Sequence, residues 1–405
     1  MSYPVFTKEM KKDYTILIPD MLPIHFTLFS DIFNQYGYHT ELLHLTGNEV
    51  KEAGLRYVNN DACYPALLVV GQFIVALKSG RYDPKKTALI ISQTGGGCRA
   101  SNYIFLIRKA LAPIYPDVPV LSMNFSGFEK ESAMKFTPVE LLKLTVASCY
   151  GDFLMALYDQ TKPYEKTPGQ ADALLKEGLS LIERSIHKGT YVWRRHYYKK
   201  LLKIFSAIKI PEERKPRVGI VGEIYVKYSP LANNHLADFL VKEGCEVEEP
   251  PLMEFLLYCA KNAVNDHERY GLNKKTVLFW KFGYHLMMEE LTKQHHYLKH
   301  GGYIAGSSFK EIEKNATRII NQGVKMGEGW LIPAEMLSLT EHGTKNIVCC
   351  QPFGCLPNHI VGKGMMRPLR ELCPDVNLTA IDYDPSTSFV NQENRIKLLL
   401  ANIKK

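Results

Sequence analysis

Short apolar runs alternate with helical patterns along this chain, and that rhythm constrains the fold more than any other feature. Residues 14–19, 40–43, 87–92 and 118–123 read as strands, and helical patterns fall at 22–36, 65–79 and 138–160, with a polar loop after the second strand. Strands alternating with helices select a parallel sheet, because parallel neighbours need the crossover that a helix provides. Residues 163–169 (Lys-Pro-Tyr-Glu-Lys-Thr-Pro) break the pattern, and 170–207 follow as a basic, amphipathic helical stretch closed by 211–216. The rhythm then restarts. Strands are expected at 217–222, 245–248, 347–350 and 378–383, and helices at 232–243, 357–371 and 390–403, with a long helical tract from about 251 to 325.

The expected fold class is therefore α/β, with two doubly wound parallel-sheet domains of flavodoxin- or Rossmann-like type. Residues 1–165 form the first, 166–212 a helical linker, and 213–405 the second, which carries the helical insertion at about 251–325. A length of 405 residues accommodates two or three such units. The two halves resemble each other in pattern, without a short repeat.

Open α/β sheets bind ligands beyond the carboxyl ends of their strands. One such loop is Gln93-Thr94-Gly95-Gly96-Gly97-Cys98-Arg99, between the strand at 87–92 and a helical pattern at 101–108. Gly95, Gly96 and Gly97 let the backbone approach whatever the thiol binds. Helix amides following Cys98 favour thiolate over thiol. Cys98 thus reads as one ligand of an iron–sulfur cluster, with the others to be found elsewhere.

Two more cysteines share its context. Cys63 lies in Asn59-Asn60-Asp61-Ala62-Cys63-Tyr64-Pro65, and Cys355 in Gln351-Pro352-Phe353-Gly354-Cys355-Leu356-Pro357-Asn358. Each precedes a helix start, with Gly or Pro alongside. The three thiols could converge in the cleft between the domains; the plain alternative is three unrelated loop thiols. Cys149, Cys245, Cys259 and Cys373 read as small buried hydrophobes. Cys349 and Cys350 close a strand, so their side chains point to opposite faces, and one of them could compete with Cys355 as a ligand. Zinc is the rival metal, but the only closely spaced pair is Cys350 and Cys355, and His295, His296 and His300 read as solvated. The glycine turn is neither a Walker loop nor a dinucleotide fingerprint. Gln93 and Arg99 flank it and could orient a ligand or stabilise negative charge. Glu223, just after the strand at 217–222, and Glu328, in the flexible-looking Gly327-Glu328-Gly329-Trp330, are candidates for proton transfer, with surface acids as the alternative.

Composition narrows the class. Nine cysteines, an odd number, are too sparse for a disulfide scaffold and suit free thiols, metal ligands or catalytic groups. A formal charge of +8, with lysines concentrated at 188–215 and before 325, fits a solvated face or a docking face for an acidic partner or an anionic cofactor better than it fits nucleic acid. The apolar runs fall short of the roughly 18 residues that span a bilayer. The first eight residues lack a signal-peptide layout, so a cytoplasmic location is expected.

The three cysteine motifs, together with Gly222-Glu223-Ile224-Tyr225-Val226, resemble the carboxy-terminal, 2-hydroxyacyl-CoA dehydratase-like region of large CoA-substrate-specific enzyme activases. That region is related to 2-hydroxyglutaryl-CoA dehydratase subunits and to double-cubane cluster proteins. The resemblance covers nearly the whole chain. It implies a [4Fe-4S] cluster held by Cys63, Cys98 and Cys355, with one iron open to an acyl-CoA or other small molecule. It also implies a low-potential electron from an ATP-hydrolysing activator with an actin-like fold. The activases carry that fold ahead of this region. It is missing here, so the activator is expected as a separate protein. A double-cubane [8Fe-9S] cluster is the alternative cofactor and would need more thiols than these three. The expected function is reduction or dehydration of a substrate at the cluster; the alternatives are a non-catalytic iron–sulfur carrier or scaffold, and a zinc-stabilised α/β binding protein. Homo- and heterodimers both remain open.

Overall fold

The computed structural model describes residues 3–403 except 60, 94–95, 125–133, 135, 273 and 387–388. The first sheet contains β1 (Thr15–Pro19), β2 (His39–Leu43), β3 (Thr87–Gln93) and β4 (Val120–Asn124). The second contains β5 (Arg217–Gly222), β6 (Glu246–Glu248), β7 (Asn346–Pro352) and β8 (Asn377–Tyr383). Every pairing is parallel, in the orders β2-β1-β3-β4 and β6-β5-β7-β8. The fold is thus α/β with two parallel, helix-flanked sheets, and the sheets share one strand order. β3 and β7 are topological equivalents, as are β1 and β5.

The strands are apolar on both faces because helices cover both faces. Ala88 through Ile91 on β3 and Ile347 through Cys350 on β7 are all buried. Between the units lies the helix Tyr64–Lys78, whose sequence is apolar nearly all round and which is buried accordingly. Its core joins Leu17 and Leu89 of the first sheet to Val218, Ile220 and Val348 of the second. Gln72, in the same helix, accepts from the Asp20 amide at 3.0 Å and donates to the Tyr225 hydroxyl at 2.6 Å, a polar tie between the units.

Several helical expectations need correction. The loop after β2 contains the helix Asn48–Tyr57. The stretch at 170–207 divides into Gln170–His187 and Arg194–Phe205, with a turn between them. The tract at 251–325 divides into Leu252–Tyr270, Val277–His300 and Phe309–Ile319, and the buried helix Leu331–Glu341 follows it. The stretch at 357–371 is broken into Leu356–Val361 and Met366–Leu372 by a short 3-10 turn.

One helix, Pro138–Tyr164, is long and apolar enough by length and composition to cross a membrane, although charged residues interrupt it. Here it is a core helix: Tyr150, Phe153, Leu154 and Leu157 pack against Tyr198, Leu201 and Phe205. The Asp152 carboxylate pairs with buried His25 at 2.8 Å and accepts from the amides of Leu252 and Met253 at 2.7 and 3.0 Å. A first-unit side chain thereby caps the opening helix of the second unit's insertion.

Candidate metal centre

Cys63, Cys98 and Cys355 each stand at the N-cap of a helical segment: Tyr64–Lys78, the 3-10 turn Arg99–Asn102, and Leu356–Val361. None of the three side chains caps its own helix. Cys63 and Cys355 are buried and Cys98 is half-buried; all three are free thiols. Cys98 follows β3 and Cys355 follows β7, so equivalent strands of the two sheets deliver them.

The turns are tied together through the Cys63 loop. On one side the Arg99 guanidinium donates to the Asp61 carbonyl. On the other, the Tyr64 amide donates to the Phe353 carbonyl at 2.9 Å. A Cβ placed on Gly354 would lie 3.2 Å from the Cys63 Cα, so the Cys355 turn rests directly on the Cys63 turn. The Tyr103 hydroxyl lies 3.0 Å from the Cys63 Sγ.

The glycine turn has unequal members. Gly95 lies outside the described residues. A Cβ on Gly96 would meet open space, whereas one on Gly97 would fall 2.0 Å from the Met326 Sδ. The loop bearing Glu328 therefore lies over the Cys98 turn.

Glu223 caps the helix Ile224–Tyr228, its Oε2 accepting from the Val226 amide at 2.9 Å. Glu328 reaches the same helix start, its Oε1 accepting from the Ile224 amide at 3.0 Å. Both carboxylates are buried. Burial, then the negative charge of Glu328, pushes the Glu223 carboxyl up to about 8. Burial likewise raises Glu328, against the pull of the Ile224 amide. The loop around Glu328 is pinned, not flexible as its glycines suggest. The Tyr258 hydroxyl lies 2.9 Å from the carbonyls of Lys325 and Gly327, and the buried Trp330 indole donates to Asn262 at 2.9 Å.

Burial is also the main influence on the thiols. It raises Cys63, pushes Cys98 up to about 12 and raises Cys355 further. Backbone amides at the three helix starts pull the other way and do not prevail. This reverses the expectation that helix amides alone would favour thiolate. Glu223 acts on all three thiols, and Glu328 on Cys98 and Cys355. Three thiols and two carboxyls thus share one electrostatic environment.

The other candidates are placed as follows. Gln93 is buried and braces the turn, donating to the Ser101 carbonyl at 2.7 Å and accepting from the Ser122 hydroxyl at 3.1 Å. Cys349 and Cys350 are buried in different cores on opposite faces of β7. Cys149 and Cys245 are buried in cores, and Cys259 and Cys373 pack at core edges. His296 and His300 are exposed, but His295 is half-buried and held neutral, its ring pushed down to about 4 by burial. Among the described residues no group of three or more His, Cys, Asp or Glu side chains is arranged to hold a single metal ion. Lys227 escaped the reading of the sequence. Its ammonium is buried, 3.4 Å from Glu335 Oε1, and its charge opposes the rise of both Glu223 and Glu328. No family model matches the chain, and a search of curated proteins finds no significant relative.

Proposed function

We propose that Cys63, Cys98 and Cys355 hold a [4Fe-4S] cluster between the two α/β units, in a protein that receives electrons from a separate ATP-hydrolysing activator and passes them to an acyl-CoA or other small molecule. The observation that carries this reading is that three thiols at helix N-cap positions, delivered by both units, share one electrostatic environment with a buried carboxyl pair. The donor set suits a cluster. Thiolates are the ligands that hold iron–sulfur clusters. Buried thiols with raised pKa values stay protonated until a metal's positive charge displaces their protons. The remaining cysteines are committed to cores, which favours a single cluster over a double-cubane one.

When bound, such a cluster supplies low-potential electron transfer and an iron position open to an exogenous ligand. The chain's own groups act around it. Tyr103 positions the Cys63 sulfur. Glu223 keeps a proton near neutrality because burial and Glu328 oppose its ionisation. That proton is available for donation to a reduced substrate, while the Val226 amide holds the carboxyl in place through Oε2. Phe353, Leu356, Ile360 and Met326, exposed apolar side chains on the turns around Cys355 and Cys98, offer a surface to a docking protein. Free thiols throughout fit a cytoplasmic location.

Metal and sulfide analysis of anaerobically purified protein tests the reading. The expected result is a brown protein with about four iron and four sulfide per chain. A colourless protein holding zinc overturns it. Mixing the loaded protein with an activator, ATP and a reductant then separates enzyme from carrier, since a carrier is reduced once without turnover.

A further inference from the structure

A cavity of about 70 Å³ lies where the helix Pro138–Thr161, the end of β6 and the helices Leu252–Tyr270, Val277–His300 and Leu331–Glu341 meet. None of Cys63, Cys98 and Cys355 lines it. Its size admits about five water-sized groups. Four carboxylates on its wall are already committed. Asp152 pairs with His25, Glu246 with Arg214, Glu248 with Arg217, and Glu335 with Lys227.

Three others are not. Asp159, Glu249 and Glu254 line the cavity, and no side-chain hydrogen bond or ion pair joins them to a described residue, although the charge of Lys227 reaches Glu249 and Glu254. Glu254 is only 4% exposed. Gln294, 2% exposed, lines the same wall, and its Nε2 has no partner either. Glu254 and Gln294 are buried, Asp159 and Glu249 half-buried. A buried polar group without a partner is costly, and these four around one space mark a place for an occupant. The wall's surplus is negative, and the Gln294 amide offers a carbonyl oxygen when turned. Burial raises all three uncommitted carboxyls, so a neighbouring positive charge would relieve each of them. The carboxylates are not gathered around one ion's coordination shell. A larger cation carrying several N–H donors can reach them separately.

We propose that this cavity binds a small organic cation of about five non-hydrogen atoms, an ammonium or guanidinium compound, with Asp159, Glu249 and Glu254 as charged acceptors and Gln294 as the neutral one. Such a site is independent of the cysteine centre.

Isothermal titration of the full-length protein with propane-1,3-diamine and with n-butylamine tests it, with magnesium chloride and manganese chloride as controls. The expected result is saturable binding of at least one amine, about one per chain, with the metal salts failing to compete. Glu254→Gln and, separately, Glu249→Gln should each weaken it about tenfold, the loss of one charge-assisted hydrogen bond. Both variants should keep wild-type circular dichroism and wild-type iron and sulfide content. Absence of saturable amine binding overturns the proposal. So does binding unchanged in both variants, or displacement of the amine by either metal ion.

Discussion

Glu223 joins three separate influences in one side chain: burial, the charge of Glu328 and the amide of Val226. Its carboxyl is raised from 4.5 to about 8 in the folded chain. An acid raised on folding holds its proton in the native state while the unfolded chain has already lost its own. The associated stability is therefore full below about 4.5 and is lost as pH rises through about 8. Metal-free protein should melt at lower temperature as pH climbs through that window, and Glu223→Gln should flatten the slope. Differential scanning fluorimetry across the range checks this; parallel curves for the two proteins would contradict it. Next to it, Gly222 sits at φ +127, where a Cβ would lie 2.1 Å from the Cys350 carbonyl oxygen. Gly222→Ala should cost at least about 2 kcal/mol, read from urea unfolding, because the new atom meets rigid backbone of β7. At this scale the sequence was legible wherever chain position alone decides chemistry. Cys98, Cys355 and Glu223 stand at strand-to-helix turns and Cys63 at a helix-to-helix turn, and glycine or proline beside each helix start announces them. Lys227 was not legible, since a lysine inside a helix start looks like any exposed one until Glu335 arrives from a distant helix. The loop at 326–330 misled for a similar reason: its glycines are local, whereas its anchors, Tyr258 and Asn262, are remote.

Among the elements, the pair Asn48–Tyr57 and Tyr64–Lys78 positions Cys63. The two helices approach so closely that a Cβ on Gly71 would lie 2.0 Å from the Val50 carbonyl oxygen, and one on Gly54 would lie 2.3 Å from that of Leu67. Gly71→Ala and Gly54→Ala should each destabilise by about 1–3 kcal/mol. The double variant should cost less than the sum, because separating the helices once relieves both clashes. A double-mutant cycle by denaturant unfolding measures this, and strict additivity would speak against a shared interface. The strands were readable because parallel strands buried on both faces are written as short unbroken apolar runs. The helix Asn48–Tyr57 was hidden by its polar composition, with only Val50 and Gly54 buried. Leu331–Glu341 was hidden by the opposite property, being buried on every side and so lacking a periodic face.

For the whole molecule, the shared strand order of the two sheets brings Cys98 and Cys355 to equivalent positions, and that correspondence was visible in the sequence only as a common rhythm. Asp152 ties the units together from the far side, taking His25 and two amides of the insertion helix. Asp152→Ala leaves those groups buried and unpaired, and should cost about 3–5 kcal/mol. It should also speed proteolytic cleavage within the insertion; limited proteolysis at an unchanged rate would show that the capping contact is dispensable. The central claim is that turns from both units converge on one metal-bearing centre. Anaerobic iron and sulfide determination on a matched pair of variants tests it most directly. The account predicts that Cys98→Ala loses the chromophore and its iron and sulfide, while Cys149→Ala, altering a core thiol, retains about four of each. Equal loss in both variants, or full retention in Cys98→Ala, would contradict it.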